Sequence, residues 1–267
     1  MITFPNAKIN IGLNITSRRP DGYHNLETIF YPIQIKDALE LIEAPEMSFE
    51  TSGISIPGNA NDNLCLKAYA LLRKDFDLPN INIHLHKHIP IGAGLGGGSA
   101  DAAFFIKLVN TKFNLGLSTE KMQSYCQLLG ADCAFFIENK PVFAFDKGDV
   151  FENIELDLST YHLALAMPQV HVSTAEAYQG VKPQESKQSL KELIKMPVEE
   201  WEGKITNDFE AHILKNHPKI NEVKVAMKEA GALFTLMSGS GASVYGIFKN
   251  ETNLSHLQKE NLIFSGI

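Results

Sequence analysis

This 267-residue chain is short of covalent staples and of blocks of like charge. Its three cysteines, Cys65, Cys126 and Cys133, stand far apart and form no CxxC pair, which argues against a disulfide framework or zinc knuckle and for a reducing compartment. No run of five or six like charges occurs, and 24 basic against 31 acidic side chains give a formal charge of −7. A polyanion held by bulk charge, whether nucleic acid or an anionic membrane, is therefore not expected. No apolar run approaches the ~20 residues that cross a bilayer, and MITFPNAK lacks the charged-then-apolar pattern of an export signal. A cytoplasmic protein without a membrane partner is the expectation. Internal repeats and low-complexity tracts are missing as well. With 44% hydrophobic and 21% charged residues, the chain has material for a core, and its length fits one globular protein of two lobes.

What the chain does have is concentrated glycine. IPIGAGLGGGSAD spans residues 89–101, with five glycines between Gly92 and Gly98. Glycine loses more conformational entropy on folding than any other residue, so such a run weakens the fold unless the backbone must approach something closely or adopt positive φ. An ordinary turn needs one or two glycines.

The surrounding pattern alternates. From Ala7, Ile9, Ile11, Leu13 and Ile15 fall on one side and Lys8, Asn10, Gly12 and Asn14 on the other, the period of a half-buried strand. RRPDGYH then reads as a turn, LETIFYPIQI and ALELIEA as strands, and NDNLCLKAYALLRKDF as a helix capped by Asp62 or Asn63. INIHLHKHI alternates again before the glycine run, which opens a helix that Ser99 or Asp101 is placed to cap. STEKMQSYCQLLGAD is a further helix, followed by strand-like AFFI and VFAF. Beyond about residue 150 come the strand YHLALAMP, helices between Ala175 and Ala230, and FTLMSGSGASVYGIF, two strands joined by Ser238, Gly239, Ser240 and Gly241. QESKQS is expected to be a mobile surface loop.

Three known phosphate fingerprints can be tested on the glycine run. GAGLGG satisfies G-x-G-x-x-G, but Pro90 interrupts the approach and the next acid after Asp101 is Glu120, inside another helix, so a dinucleotide site has little support. A P-loop requires lysine where Ser99 stands, and the downstream sequences of a protein kinase are missing. What remains is a loop without side chains feeding a helix N-terminus, where unpaired N–H groups and the positive dipole end favour an anion such as a phosphate chain. His84, His86 and His88 offer H-x-H-x-H on one side of a strand. A polar strand face is the stronger reading there, and zinc the weaker.

PIGAGLGGGSADAA resembles the phosphate-binding motif of the GHMP small-molecule kinases, and two further segments match in order: PNAKINIGLNI the first motif, MSGSGASVYGIF the third. The wording is closest to members acting on a cytidine-diphosphate-linked alcohol, through ITSRRPDGYHNLETIF and LGADCAFFI, although Cys133 and Ala134 depart from the usual Val-Pro. The resemblance implies an α+β fold of two lobes, residues 1–155 like the second domain of ribosomal protein S5 and residues 156–267 ferredoxin-like. It implies a kinase using ATP and Mg²⁺ on a small cytidyl diphosphate substrate, as a monomer or weak homodimer. A kinase for another small alcohol, such as homoserine, and a catalytically silent nucleotide-binding protein are the rival readings.

The same resemblance nominates Asp132 as the base and Lys8 as its partner. From spacing alone, the first reads as a turn carboxylate and the second as a solvated lysine. It assigns ATP to Pro90, Ile91, Gly92, Ala93, Gly94, Leu95, Gly96, Gly97, Gly98, Ser99 and Ala100, with Ser99 as a candidate magnesium ligand. Tyr23 and Tyr178 are expected to stack on cytosine, a contact worth ~1–3 kcal/mol per base in nucleic-acid systems, while His24 reads its polar edge. Asn10, Lys147, Ser238, Gly239, Ser240 and Gly241 complete the expected substrate side.

Overall fold

The structure, a computed structural model, describes every residue except Lys187, Glu260 and Ile267. In chain order its elements are β1 Ile2–Thr3, β2 Asn6–Arg18, β3 His24–Lys36, β4 Ala38–Glu43, β5 Ser48–Gly53, α1 Leu64–Asp75, β6 Ile81–Lys87, α2 Gly97–Lys112, α3 Thr119–Gln127 and α4 Phe135–Glu138. There follow β7 Val142–Phe145, β8 Val150–Asn153, β9 His162–Pro168, α5 Thr174–Gln179, α6 Leu190–Leu193, α7 Glu210–Asn216, α8 Pro218–Glu229, β10 Phe234–Met237, β11 Val244–Phe248 and β12 Asn261–Ser265. They sort into two compact units, neither continuous in sequence. Unit 1 is Met1–Lys8, Pro32–Ile91 and Gly96–Lys140; unit 2 is Ile9–Tyr31, Gly92–Leu95 and Pro141–Ile267.

Unit 1 holds a sheet of order β1-β4-β6-β5, in which β4 runs antiparallel to both neighbours and β5 parallel to β6. Helix α2 packs on α1, α3 and α4 and reaches β1 and β4. Its first turns are small and buried at Gly97, Ala100, Ala102 and Ala103, and Phe105, Ile106 and Val109 continue the burial, so this is the core helix of the unit. Asn63 caps α1 by accepting from the Cys65 N–H at 2.9 Å, and Ser118 caps α3 by accepting from the Lys121 N–H at 3.3 Å.

Three sequence expectations change here. AFFI is not a strand: Phe135, Phe136 and Ile137 are all buried in the short helix α4, ended by Asn139 in the left-handed region. A short apolar run carries no period that separates the two. Neither Ser99 nor Asp101 caps α2, because the helix starts earlier, at Gly97, and both lie inside it. His84 and His86 share a Ser52 hydroxyl across β5 and β6 at 3.0 and 2.9 Å on an exposed face, while His88 lies beyond the strand end. Among the described residues no group of three His, Cys, Asp or Glu is arranged to hold a metal.

Unit 2 contains the antiparallel pairings of β3 with β7 and of β7 with β8, and a separate sheet of order β10-β11-β9-β12. Helix α8 packs on β9, β10 and β11. The PDG turn forms as expected, with the Arg19 N–H donating to the Tyr23 carbonyl at 2.8 Å. The two strands around Ser238–Gly241 also form as expected.

The polar face of β2, expected in solvent, is covered. Residues Asn6 to Leu13 are buried on both sides, leaving Lys8 3% and Asn10 2% exposed. In unit 2 the cover is the segment 184–208. The Gln184 N–H donates to the Ile15 carbonyl at 3.0 Å, the Ile15 N–H to Asp208 at 2.7 Å, and the Leu13 N–H to the Thr206 carbonyl at 2.9 Å. Of the QESKQS stretch, Lys187 lies outside the described residues, and Gln184 is tied down by that bond.

Candidate active site

The glycine stretch works by alternation. Gly92, Gly94 and Gly96 take φ of 65°, 73° and 69°, and the intervening Ala93 and Leu95 are 2% and 1% exposed. The apolar residues anchor the loop inward while the glycines adopt backbone that side chains disfavour. Gly96 is the N-cap of α2 and offers no side-chain cap; the first backbone bond of the helix runs from the Ala100 N–H to the Gly96 carbonyl at 2.9 Å. The amides of Gly97, Gly98 and Ser99 therefore stand at a bare helix start, which favours an anion.

Lys8 and Asp132 meet in the same unit. The Lys8 Nζ lies 3.4 Å from Asp132 Oδ2, with the lysine side chain 4% and the carboxylate 33% exposed. Asp132 sits in the turn between α3 and α4. A Cβ on Gly96 would stand 3.2 Å from Lys8 Cε and 3.1 Å from Phe136 Cζ, so the cap glycine, the lysine and the start of α4 form one contact patch. The buried ammonium thus stands beside a solvent-reaching carboxylate, an arrangement in which an oxygen can take a proton from a hydroxyl while the ammonium offsets negative charge. The unusual Cys133 is a buried free thiol; burial pushes it up to about 11, against the pull of the Ser99 hydroxyl.

In unit 2, Gly92–Leu95 is gripped by the third glycine segment. A Cβ on Gly94 would overlap the Ser238 carbonyl oxygen, and the Ser238 hydroxyl donates to the Gly94 carbonyl at 2.9 Å while accepting from the Asn10 N–H at 3.2 Å. Ser238 is wholly buried, so the direct substrate contact expected of it gives way to a tie between segments. Gly239 and Gly241 are buried beside it, and Ser240 lies 3.5 Å from the Thr174 hydroxyl. The Asn10 side chain donates to the Thr28 hydroxyl at 2.9 Å.

Among the aromatics, Tyr23 is 64% exposed, with the Lys147 Nζ 5.9 Å from its ring centre, and Lys147 itself pairs with Asp149 at 3.3 Å. Tyr178 stacks on His24, with ring centres 4.9 Å apart at 23°, and meets Phe209 edge-on. Tyr23 and Tyr178, both expected to face cytosine, make separate contacts within the protein, Tyr178 on His24 and Tyr23 beside Lys147.

Comparison with known proteins bears on this arrangement directly. The family model described as GHMP kinases N terminal domain matches residues 63–140, and GHMP kinases C terminal matches residues 186–261. The chain belongs to the GHMP kinases. It is 52% identical over 264 residues to a Bacteroides fragilis protein named 4-diphosphocytidyl-2-C-methyl-D-erythritol kinase, covering 97% of this chain and 96% of the relative. A Bacteroides thetaiotaomicron protein of the same name is 53% identical over 258 residues, covering 95% and 94%. A crystal structure of 4-(cytidine 5'-diphospho)-2C-methyl-D-erythritol kinase superposes with a TM-score of 0.81 at 25% identity, covering 100% of this chain and 98% of that one. Methanococcus jannaschii mevalonate kinase, at 18% identity and a TM-score of 0.67 over 99% and 97% of the two chains, shares the fold. The α+β, two-lobe GHMP-kinase architecture expected from the motifs is therefore the fold of this chain.

Several residues of this GHMP kinase that hold the site were invisible in the sequence. Tyr245 donates to the Asn10 carbonyl at 3.0 Å, and Asn207 donates to the carbonyls of Met237 and Gly239, each at 2.8 Å. These tie β2 and the third motif into one frame, yet they come from elements more than 25 positions from one partner or the other. Only a polar residue inside an otherwise apolar strand, as at Tyr245, hinted at them.

Proposed function

We propose that this GHMP kinase transfers the γ-phosphoryl group of ATP to the 2-hydroxyl of 4-diphosphocytidyl-2-C-methyl-D-erythritol, in non-mevalonate isoprenoid precursor synthesis in the cytoplasm. The observation that carries the chemistry is the Lys8–Asp132 pair packed against the uncapped start of α2. The identity of the alcohol is supported by the name shared by relatives at about half identity over nearly the whole chain. Phosphoryl transfer asks a protein mainly for positioning and charge stabilisation, together with a group to receive the hydroxyl proton.

In this reading, the stretch from Pro90 to Ala100 carries the nucleotide's phosphates, with the amides of Gly97, Gly98 and Ser99 as donors. Asp132 Oδ2 takes the proton of the attacking hydroxyl, and Lys8 orients that carboxylate and offsets charge on the transferred group. His24 and Tyr178 present the stack that recognises cytosine, Tyr23 and Lys147 flank it, and Asn10, Ser238, Gly239, Ser240 and Gly241 hold the substrate side in place. The donor set fits a magnesium ion that arrives with the nucleotide: the Ser99 hydroxyl is a hard oxygen at the helix start, and no closed protein cage is needed. Magnesium bound there would neutralise charge on the phosphate oxygens.

The test is phosphorus NMR of mixtures of the protein, ATP and magnesium with either the cytidyl alcohol or homoserine. A new phosphomonoester from the cytidyl alcohol is expected; consumption of homoserine in its place would overturn the assignment. Asp132→Asn and Lys8→Ala are expected to fold and to lose nearly all turnover, and near-normal turnover in either would refute the role given to that residue.

A further inference from the structure

Beneath the start of α2 lies a buried group of charges that the chemistry above does not use. Lys87, the last residue of β6, donates from Nζ to Asp37 and, at 2.7 Å, to Asp101. All three side chains are at most 4% exposed. The other Asp37 oxygen accepts from the backbone N–H groups of His88 and Ile89 at 2.6 and 2.9 Å. Those are the two residues by which the chain leaves β6 for the glycine stretch. Asp101 sits in the second turn of α2, where the stretch ends. The first helical residue rests on the group directly: a Cβ on Gly97 would stand 2.9 Å from Ile89 Cγ2 and 3.4 Å from Lys87 Nζ.

Burying two carboxylates and one ammonium is costly even when they are paired, and well-packed apolar residues of similar volume are often as stable or more so. One Asp101 oxygen is moreover buried without a partner. Stability alone therefore accounts poorly for the group. Its geometry does something an apolar cluster cannot do, joining the backbone at the entry of the loop to the helix at its exit by directional bonds.

We propose that Asp37, Lys87 and Asp101 are positioning residues for phosphate binding, a buried strut that fixes where the N-terminal amides of α2 stand. The proposal rests on the reading that those amides bind the nucleotide's phosphates. Lys87 joins the two carboxylates, Asp37 holds the loop entry, and Asp101 holds the helix. Loss of one link lets α2 shift on the sheet while leaving every group that touches the nucleotide in the chain.

The test is calorimetric titration of a non-hydrolysable ATP analogue with magnesium into the full-length protein, at a temperature where each variant is folded by circular dichroism. Asp101→Ala is expected to weaken analogue binding about tenfold or more, since displacements near 1 Å cost up to about a hundredfold at such sites. Asp101→Asn, which can still accept from Lys87, is expected to restore affinity to within about threefold of the wild type. Hydrogen exchange at the amides of residues 97–99 should quicken in Asp101→Ala and not in Asp101→Asn. Where Asp101→Ala does not fold, Asp101→Ser, too short to reach Lys87, takes its place in the same titration. A folded variant of either kind with wild-type affinity and exchange would overturn the strut. Failure of the wild-type protein to bind the analogue would instead overturn the phosphate-binding reading beneath it.

Discussion

Adding one methyl group at Gly96 should separate the roles of the glycines. Gly96 stands at φ +69°, where a residue with a Cβ pays roughly 1–2 kcal/mol. The new carbon would lie 3.1 Å from Phe136 Cζ and 3.2 Å from Lys8 Cε, inside the ~3.5–4.0 Å at which carbon contacts are comfortable. Phe136 is fully buried and has no room to retreat, so the lysine stem yields, carrying Nζ away from its 3.4 Å contact with Asp132. Strain and contact together amount to about 2 kcal/mol, which for a chain of this size lowers Tm by about 4–8 °C. Displacement of the lysine should lower kcat by about tenfold or more. Gly98 is the control for stability: its φ is ordinary, and a Cβ there would meet nothing within 4 Å. Gly98→Ala should therefore gain about 0.4–1 kcal/mol from the lost freedom of the unfolded chain. Scanning calorimetry and steady-state phosphorylation kinetics read both variants. Wild-type stability and kcat in Gly96→Ala, or an equal loss of stability in Gly98→Ala, would refute the reasoning.

Other outcomes follow from the same geometry. Gly94→Ala, whose Cβ would overlap the Ser238 carbonyl, should be more damaging than Gly96→Ala and give little folded protein, as judged by size exclusion and circular dichroism. Lys87→Met leaves Asp37 and Asp101 buried without their cation and should cost about 3–5 kcal/mol, read as a drop in the urea midpoint. The three cysteines are buried and free, and burial raises the pKa of each; Cys133, at about 11 against an ordinary 9, holds about a hundredfold less thiolate at pH 8. The native protein should resist alkylation at pH 8 and take up three labels only in urea, as read by mass spectrometry.

The glycine stretch was legible because its physics is local: positive φ follows from residue type within a dozen positions, although the start of α2 ahead of Ser99 and Asp101 did not show. Most of the order of strands and helices was legible for the same reason; AFFI is too short to show a period, and β5, β8 and β12 gave no strand signal. Lys8, which spacing alone would leave in solvent, is buried, and the period of a strand does not announce that its polar face is covered. Asp132 looked like any turn carboxylate; its pairing with a residue 124 positions away is a tertiary fact that only family resemblance could foresee. The same holds for Lys87 and Asp37, which lie 50 positions apart and carry no spacing signal. That Tyr178 rests on His24 carried no sequence signal, because aromatic residues announce that they stack without announcing on what.

The division of the chain has a practical corollary. Five peptide junctions, after Lys8, Tyr31, Ile91, Leu95 and Lys140, pass from one compact body to the other. A gene fragment cut at any single point therefore delivers at least one body with pieces missing, and such a fragment should be recovered only as aggregate or by co-expression with its complement. Engineers who wish to graft or exchange half of this enzyme would have to transplant interleaved segments, among them the four residues Gly92–Leu95, rather than one contiguous block.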